Sequence, residues 1–408
     1  VYRVTGSSKF GANNRYGNFW SAGLGWNIHN ESFVTSSKID ILKIRGSLGY
    51  TGKVNFSPFQ AMTMYQFSGD LEYLNGIGAV PQGIGNEDLG WERELSYNLG
   101  TDISLFNRRL NFTFNIYLKK TTDLVLDASR APSTGTTSAK ENIGEMENKG
   151  LEFQVDGMLV QRNDFYWQVA ATGSMNRNRI LKINSALKKA NEDANKVDSK
   201  TPLAQYEEGE STTALKVVKS AGIDPATGQE VFIKLNGERT FEYSADDKFV
   251  IGDTEPRFRG TVSTNLFYKG FSLYLLGRYE CGAYLYNETR ATKVEGANPK
   301  KNADKRVFDS RWKNSGDIAF YKDIADSDGW GTNPKHSDRF VEKENVFTLG
   351  TVNLGYEFGQ NICSKIGVRN LRVGVNLTDI VRWSNVKVER GTIYLYSNGF
   401  EFTLSTTF

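Results

Sequence analysis

Cysteine, histidine and proline are all scarce in this chain: two, two and eight among 408 residues. Cys281 falls on an expected strand and Cys363 in an expected turn at the opposite end of the same wall. Bridged cysteines need Cα atoms within about 7 Å, so no disulfide is expected. His29 and His336 are isolated, which leaves no nucleophilic triad and no histidine-centred metal site in view. The expectation is therefore no enzyme, no catalytic residue, no metal and no cofactor. Long apolar runs are missing too, and nothing approaches the roughly 18 consecutive apolar residues of a helical membrane span. Charge of one sign is also lacking: 50 basic against 47 acidic residues gives a net +3 and no reason to expect nucleic acid. Mean hydropathy is −0.47. That value does not exclude a membrane barrel, because half of every spanning strand is polar.

What the chain does have is a period of two. Its last nine residues alternate Phe400, Phe402, Leu404, Thr406 and Phe408 with Glu401, Thr403, Ser405 and Thr407. Successive side chains of a strand point to opposite faces, so this terminal strand has one apolar and one polar face. An open aromatic edge invites aggregation; a closed membrane barrel removes it. The same pattern sets Leu95, Tyr97, Leu99, Ile103 and Leu105 against Glu94, Ser96, Asn98, Asp102 and Ser104. After an Asn107-Arg108 turn, Leu110, Phe112, Phe114, Ile116 and Leu118 oppose Asn111, Thr113, Asn115, Tyr117 and Lys119. These runs exceed the roughly 9–11 residues that a tilted strand needs to cross a bilayer.

Period and turn signals predict twelve strands, near 1–10, 17–28, 39–52, 91–106, 109–126, 147–161, 164–178, 257–268, 271–287, 345–358, 369–381 and 398–408. Tight connections at Asn107-Arg108, 161–163 and Lys269-Gly270 alternate with long ones at 53–90, 127–146, 179–256 and 288–344. An outer-membrane barrel has short periplasmic turns and long outer loops. With a periplasmic C-terminus every long connection lies outside, and the connections at 11–15 and 29–38 fit least well. Val1-Tyr2-Arg3-Val4 reads as mid-strand, so the expectation is that residue 1 is not the natural start.

The polar faces carry Lys43, Arg45, Glu94, Asp102, Arg257, Arg259, Arg278 and Glu280. Unpaired ions are costly in a packed interior. They suit a water-filled lumen, which disfavours the competing reading of a soluble antiparallel sandwich. Glu92 and Glu94 are read as lumen lining and not as a glycosidase pair. Lys/Glu-rich 186–210 reads as an outer loop segment, and Asp224-Pro225-Ala226-Thr227-Gly228 as turn chemistry. Asp323, Asp326 and Asp328-Gly329 hold only part of a calcium-loop pattern and read as a solvated acidic loop. Aromatic residues crowd the loops. Tyr284, Tyr286, Trp312, Tyr321 and Trp330 are candidates for stacking on sugar rings or gripping peptide side chains, with loop packing as the alternative role for each.

Several segments, in order, resemble SusC/RagA-like TonB-dependent transporters. Asn86-Glu87-Asp88-Leu89-Gly90-Trp91-Glu92 is similar to that family's N-P-x-L-x-W-E strand entry, with Glu87 in place of the usual proline. Asn142-Ile143-Gly144 through Asn148-Lys149-Gly150-Leu151-Glu152 resembles N-x-G-x-x-x-N-x-G-x-E. Gly222 to Gly228 resembles G-x-D-P-x-T-G, and Arg311-Trp312 with Gly316-Asp317 resembles R-W-x-x-x-G-D. Val346 to Tyr356 and Asn376-Leu377 resemble two later strands, whereas 382–397 lacks the proline-rich approach expected before the last one. The resemblance implies an all-β fold: a transmembrane antiparallel barrel of about 22 strands around a plug, of which residues 1–408 supply about 12 C-terminal strands with long extracellular loops. The plug, the TonB-contacting segment and the early strands would precede Val1. It further implies a TonB-energised importer of glycans or oligopeptides in a Bacteroidetes-like outer membrane, working with a SusD-like surface lipoprotein and surrounded by lipid. A passive porin or an adhesin barrel is the alternative.

Overall fold

The computed structural model describes residues 1–73, 76–129, 138–298, 300, 302–324, 334–387 and 397–407. In chain order the strands are β1 Tyr2–Gly6, β2 Tyr16–Asn27, β3 Ile39–Lys53, β4 Met64–Tyr73, β5 Gly76–Gly83, β6 Glu92–Leu105, β7 Leu110–Thr122, β8 Val125–Ser129, β9 Ser138–Asn142 and β10 Glu145–Arg162. They continue as β11 Phe165–Lys182, β12 Ala214–Ile223, β13 Glu230–Ile233, β14 Arg239–Thr240, β15 Lys248–Asp253, β16 Phe258–Tyr268, β17 Phe271–Tyr286, β18 Val341–Glu357, β19 Asn370–Ser384 and β20 Gly399–Thr407. Two helices, α1 Ser185–Lys196 and α2 Gln360–Cys363, lie in connections.

Twelve strands form one antiparallel sheet in the order β1-β2-β3-β6-β7-β10-β11-β16-β17-β18-β19-β20. Each corresponds to a run expected from the alternation. The eight others form separate small sheets: the β4-β5 and β8-β9 hairpins and a four-stranded sheet β14-β13-β12-β15. All eight lie within the long connections. The 179–256 connection is thus a folded unit and not a plain loop. The Lys/Glu-rich stretch within it begins with α1, whose Asn184 N-cap accepts from the Leu187 N–H at 3.0 Å. Tight turns close the opposite end. Between β6 and β7, Phe106, Asn107 and Arg108 all take φ near +60°, and Lys269-Gly270 turns with both φ positive. Asn163 and Asp164 make the third. The 29–38 connection opens on a 3-10 turn at Ile28–Asn30, and α2 caps the turn between β18 and β19, where Cys363 is buried far from Cys281 of β17.

Pairing fixes the faces, since residues directly opposite share one. Ile44 meets Thr101, which meets Phe114 and then Phe153; Leu99 meets Ile116, which meets Leu151. Farther round, Leu273 meets Leu354, which meets Val375 and then Phe402. The shared outward face is open: Leu99 is 55% exposed and Leu404 72%. Phe165, Tyr268, Phe271 and Tyr356 stand in one such row beside the tight turns, and Tyr279, Phe347 and Trp383 in another eight residues up β17. Eight residues rise about 26 Å along a strand and about 20 Å once tilt is allowed for. Two aromatic rows at that spacing are girdles around an apolar band of roughly bilayer-core height.

Of the irregularities in the large sheet, two bear on the site. Gly282, at φ +81°, is unpaired between Cys281↔Asn345 and Ala283↔Glu344. Gly350 on β18 sits opposite two residues of β19, Asp379 (φ +51°) and Ile380, one of them extra. Each is a bulge, which bends a strand and re-aims the side chains beyond it.

Candidate functional site

The inward face is built from the polar half of the alternation. Lys43 lies opposite Asp102, Asp102 opposite Thr113, Thr113 opposite Gln154, and Gln154 opposite Thr172. Arg45 donates from Nε to Asp102 Oδ2 at 3.1 Å and from a terminal nitrogen to Asn115. Glu94 pairs with Lys53. Arg259 faces Glu280 across the β16–β17 pair and reaches Glu255 at 3.2 Å. Arg257 immediately precedes β16 at the end away from the tight turns, its stem against Gly282. Arg278 spans three strands: its guanidinium passes over Gly350, where a Cβ would come within 3.4 Å, and meets Asp379 at 2.9 Å. Between these charged patches lies a carboxamide stretch. Tyr117 donates to Asn176 at 3.1 Å, Asn176 to Asn148 at 3.3 Å, and Asn178 to Asn148 at 2.9 Å. Exposed pairs of this kind add little stability. Their consequence is a wettable surface with alternating charge and no strong net field.

Glu92 does not line this surface. It is 4% exposed, and its Oε1 accepts the Val125 N–H at 2.9 Å. The family-like segment 86–92 is a clasp at the rim. Asn142 gives two bonds, to the carbonyls of Gly90 (3.0 Å) and Asp123 (2.8 Å), and accepts one from the Gly90 N–H (2.7 Å). Asn86 donates to the Lys140 carbonyl. The short 11–15 connection is stitched to the same clasp by Gly11 N–H to Leu89 O and Asn13 N–H to Glu87 O. Phe10 lies 4.3 Å from Trp91 between ring centroids, and the buried Leu89 fills the floor. Alanine at Asn142 leaves three partly buried backbone groups unmet. It should cost about 2–3 kcal/mol, read as a lower denaturant midpoint of the vesicle-inserted protein, while glutamine should recover only part.

The loop aromatics are brought together, but as a core. Tyr321 is 6% exposed, packs edge-on to Phe320 at 4.9 Å, and accepts from Arg290 Nε at 3.2 Å. Tyr286 packs against Phe340 and His336 at 6.0 and 5.7 Å. Trp312 donates from Nε1 to the Pro225 carbonyl at 2.8 Å and covers Gly228, where a Cβ would meet its ring at 2.5 Å. Tyr284 covers Gly252 in the same way. Plain alternation counted from Arg278 and Glu280 would place Tyr284 and Tyr286 on the same polar face. The bulge at Gly282 reverses that assignment, because Ala283, and not Tyr284, pairs with the inward Glu344. Glu344 in turn accepts from Ser384 at 2.8 Å. Trp330, Asp326 and Asp328-Gly329 lie outside the described residues.

One residue that the motif reading passed over organises this core. Arg339 is 7% exposed and uses all five N–H donors: to both oxygens of Glu230 (2.7 and 2.6 Å), both oxygens of Glu295 (2.9 and 2.8 Å), and the Phe320 carbonyl (2.6 Å). Burial opposes its charge, but Glu295 and Glu230 overcome that and hold the guanidinium firmly protonated. It thereby ties β13 of the four-stranded sheet to the 289–295 turn. Burial also pushes the nearby Tyr243 phenol up to about 12, against a backbone bond from His336, and holds His336 itself below the usual imidazole range.

A family model described as TonB dependent receptor-like, beta-barrel, matches residues 2–376. Curated relatives include TonB-dependent receptor P39 of Formosa agariphila, 27% identical over 94% of this chain and 40% of that protein. TonB-dependent receptor SusC of Bacteroides thetaiotaomicron is 25% identical over 88% of this chain and 36% of its own length. The chain thus spans about two fifths of the length of the curated relatives it matches. Among solved structures, the RagAB peptide importer in its open-open state aligns with a TM-score of 0.81 at 22% identity, covering 98% of this chain and 44% of that one. Its closed-closed state gives 0.80 at 24% identity, over 95% and 42%. At these identities the structural likeness bears on fold.

Proposed function

This chain belongs to the TonB dependent receptor-like β-barrel family, and from that premise we propose that it is the outer-membrane wall and outer loop cluster of a TonB-energised nutrient importer. The outer membrane is where barrels of this family reside. The observation that carries the reading is the unbroken polar row running from Lys43 through Asp102, Thr113, Gln154 and Thr172 to Thr261 and Arg278, backed by an equally unbroken apolar face. One side satisfies lipid, and the other lets hydrophilic cargo pass.

β1 and β20 are the two edges of the sheet and do not pair with each other. Further strands, completing a barrel of about 22, would cover those edges, and a plug would close the lumen. The force of the inner membrane would reach the plug through TonB. The cargo is a glycan or an oligopeptide, delivered by a SusD-like surface lipoprotein. SusC and a RagAB peptide importer, among this chain's relatives and likenesses, support a role of that kind. Lys43, Arg45, Glu94, Asp102, Arg257, Arg259, Arg278 and Glu280 serve as lumen lining. Trp312 and the tyrosines serve as supports of the loops, not as stacking platforms.

The test uses the full-length receptor in its own outer membrane. Uptake of labelled oligosaccharide or oligopeptide mixtures should cease when TonB is deleted, with the receptor still present at the surface. Undiminished uptake without TonB, together with steady ion conductance in planar bilayers, would favour a passive channel.

A further inference from the structure

Two clefts open on the outer unit between α1 and β15, and they share Asn195, Ala245 and Lys248. The first, about 510 Å³, is walled by Glu192, Glu207, Glu208 and Asp246, with Lys188 and the buried Lys216. Lys216 is already matched by Glu207 at 2.6 Å and Glu210 at 2.7 Å, which leaves that side leaning acidic. Glu192 has no partner among the described residues. The second cleft, about 360 Å³, is walled by Lys335, His336 and Tyr243, by Lys196, which Asp193 already matches at 3.2 Å, and by Asp198 as its only carboxylate; with Lys248 it leans basic. Lys335 lies over the Tyr243 ring at 5.6 Å. Lys248 stands at the divide. Its Nζ donates to Asn195 Oδ1 at 2.9 Å, and among the described residues neither it nor Lys335 has a carboxylate within ion-pair distance. Burial and the neighbouring Lys216 both weaken the Lys248 charge while Asp246 supports it.

The floor is built in advance. Asn191 donates to the Tyr206 carbonyl at 2.7 Å and accepts its N–H at 2.9 Å, and Gln205 donates to the Asn191 carbonyl at 3.2 Å. A preformed recess with segregated charge costs its ligand little ordering.

The geometry points to a capture site for a short peptide with both termini free: the ammonium in the acidic cleft beside Glu192, and the carboxylate in the basic cleft on Lys248 and Lys335. Opposite charges a few residues apart on one ligand match opposite charges in adjoining clefts, whereas a neutral saccharide would gain nothing from the segregation. This rests on the import reading, as the place where an importer first holds its cargo, but its test needs no energy. The purified full-length receptor in detergent is titrated with dye-labelled tetra-alanine, the label on a side-chain-substituted third residue. The free form should bind, and N-acetylation or C-amidation should each weaken binding about tenfold, one ion contact's worth. In Glu192→Gln the penalty for acetylation should vanish while that for amidation stays; in Lys248→Gln the reverse should hold. Equal binding of capped and free peptides to the unaltered receptor overturns the proposal whether or not the variants fold. So does equal competition by a neutral oligosaccharide. A receptor that shows the cap dependence yet imports without TonB keeps this site and sinks the transport reading alone.

Discussion

Arg339→Met is expected to destabilise the outer loop cluster by about 3–5 kcal/mol, the cost of leaving a buried ion network without one partner. The size reflects the groups left behind. Glu230 and Glu295 are each 5% exposed at the side chain and would face each other with no cation between them. The Phe320 carbonyl would lose its donor as well. The damage should remain local, because Arg339 precedes β18 and touches only loop elements. Amide exchange in β12 and β13 should therefore quicken by two to three orders of magnitude, with β6, β7 and β10 unchanged. A triple variant with methionine at 230, 295 and 339 should recover much of the loss, since an apolar replacement of a whole network is often near neutral. Exchange unchanged in Arg339→Met would show that the clamp is ornamental.

Ile116→Arg should cost about 2–4 kcal/mol, and Thr113→Arg less than about 1 kcal/mol. Both residues are in the middle of β7, three apart, on opposite faces. Ile116 pairs with Leu99 and Leu151 on the face that meets acyl chains. Thr113 stands between Asp102 and Gln154, where an arginine gains a carboxylate and keeps its water. The comparison is made on the full-length receptor in vesicles by denaturant titration of tryptophan fluorescence. Equal costs at the two positions would contradict the two-sided wall.

The wall was legible because its rule is local: Phe112-Thr113-Phe114-Asn115 states its own faces. The tight turns were legible as well, since Lys269-Gly270 suits a two-residue hairpin. Three things were not. A bulge glycine such as Gly282 looks like any of the other 39 glycines, because its role depends on which partner residue is skipped. The four-stranded sheet at 214–253 has strands as short as Arg239–Thr240, too brief for a period to register. The fate of Tyr286 depends on Phe340, and that of Tyr321 on Ala291, Val294 and Phe340, which the chain delivers from afar, so aromatic character alone could not tell a platform from a core. The family-like segments 86–92 and 142–152 were recognisable, yet their work at the clasp, three bonds from Asn142, is visible only in three dimensions.

The skipped residue at Gly282 has a consequence for how such a chain can vary. Below it, insertion of a single amino acid would turn every buried flank of β17 toward water and every wet flank toward hydrocarbon. Above it the phase has already been reset, so the stretch from Ala283 onward answers to the loops and not to the bilayer. Length can drift there without disturbing the spanning segment, which frees the outer surface to be remodelled while the wall beneath stays the same.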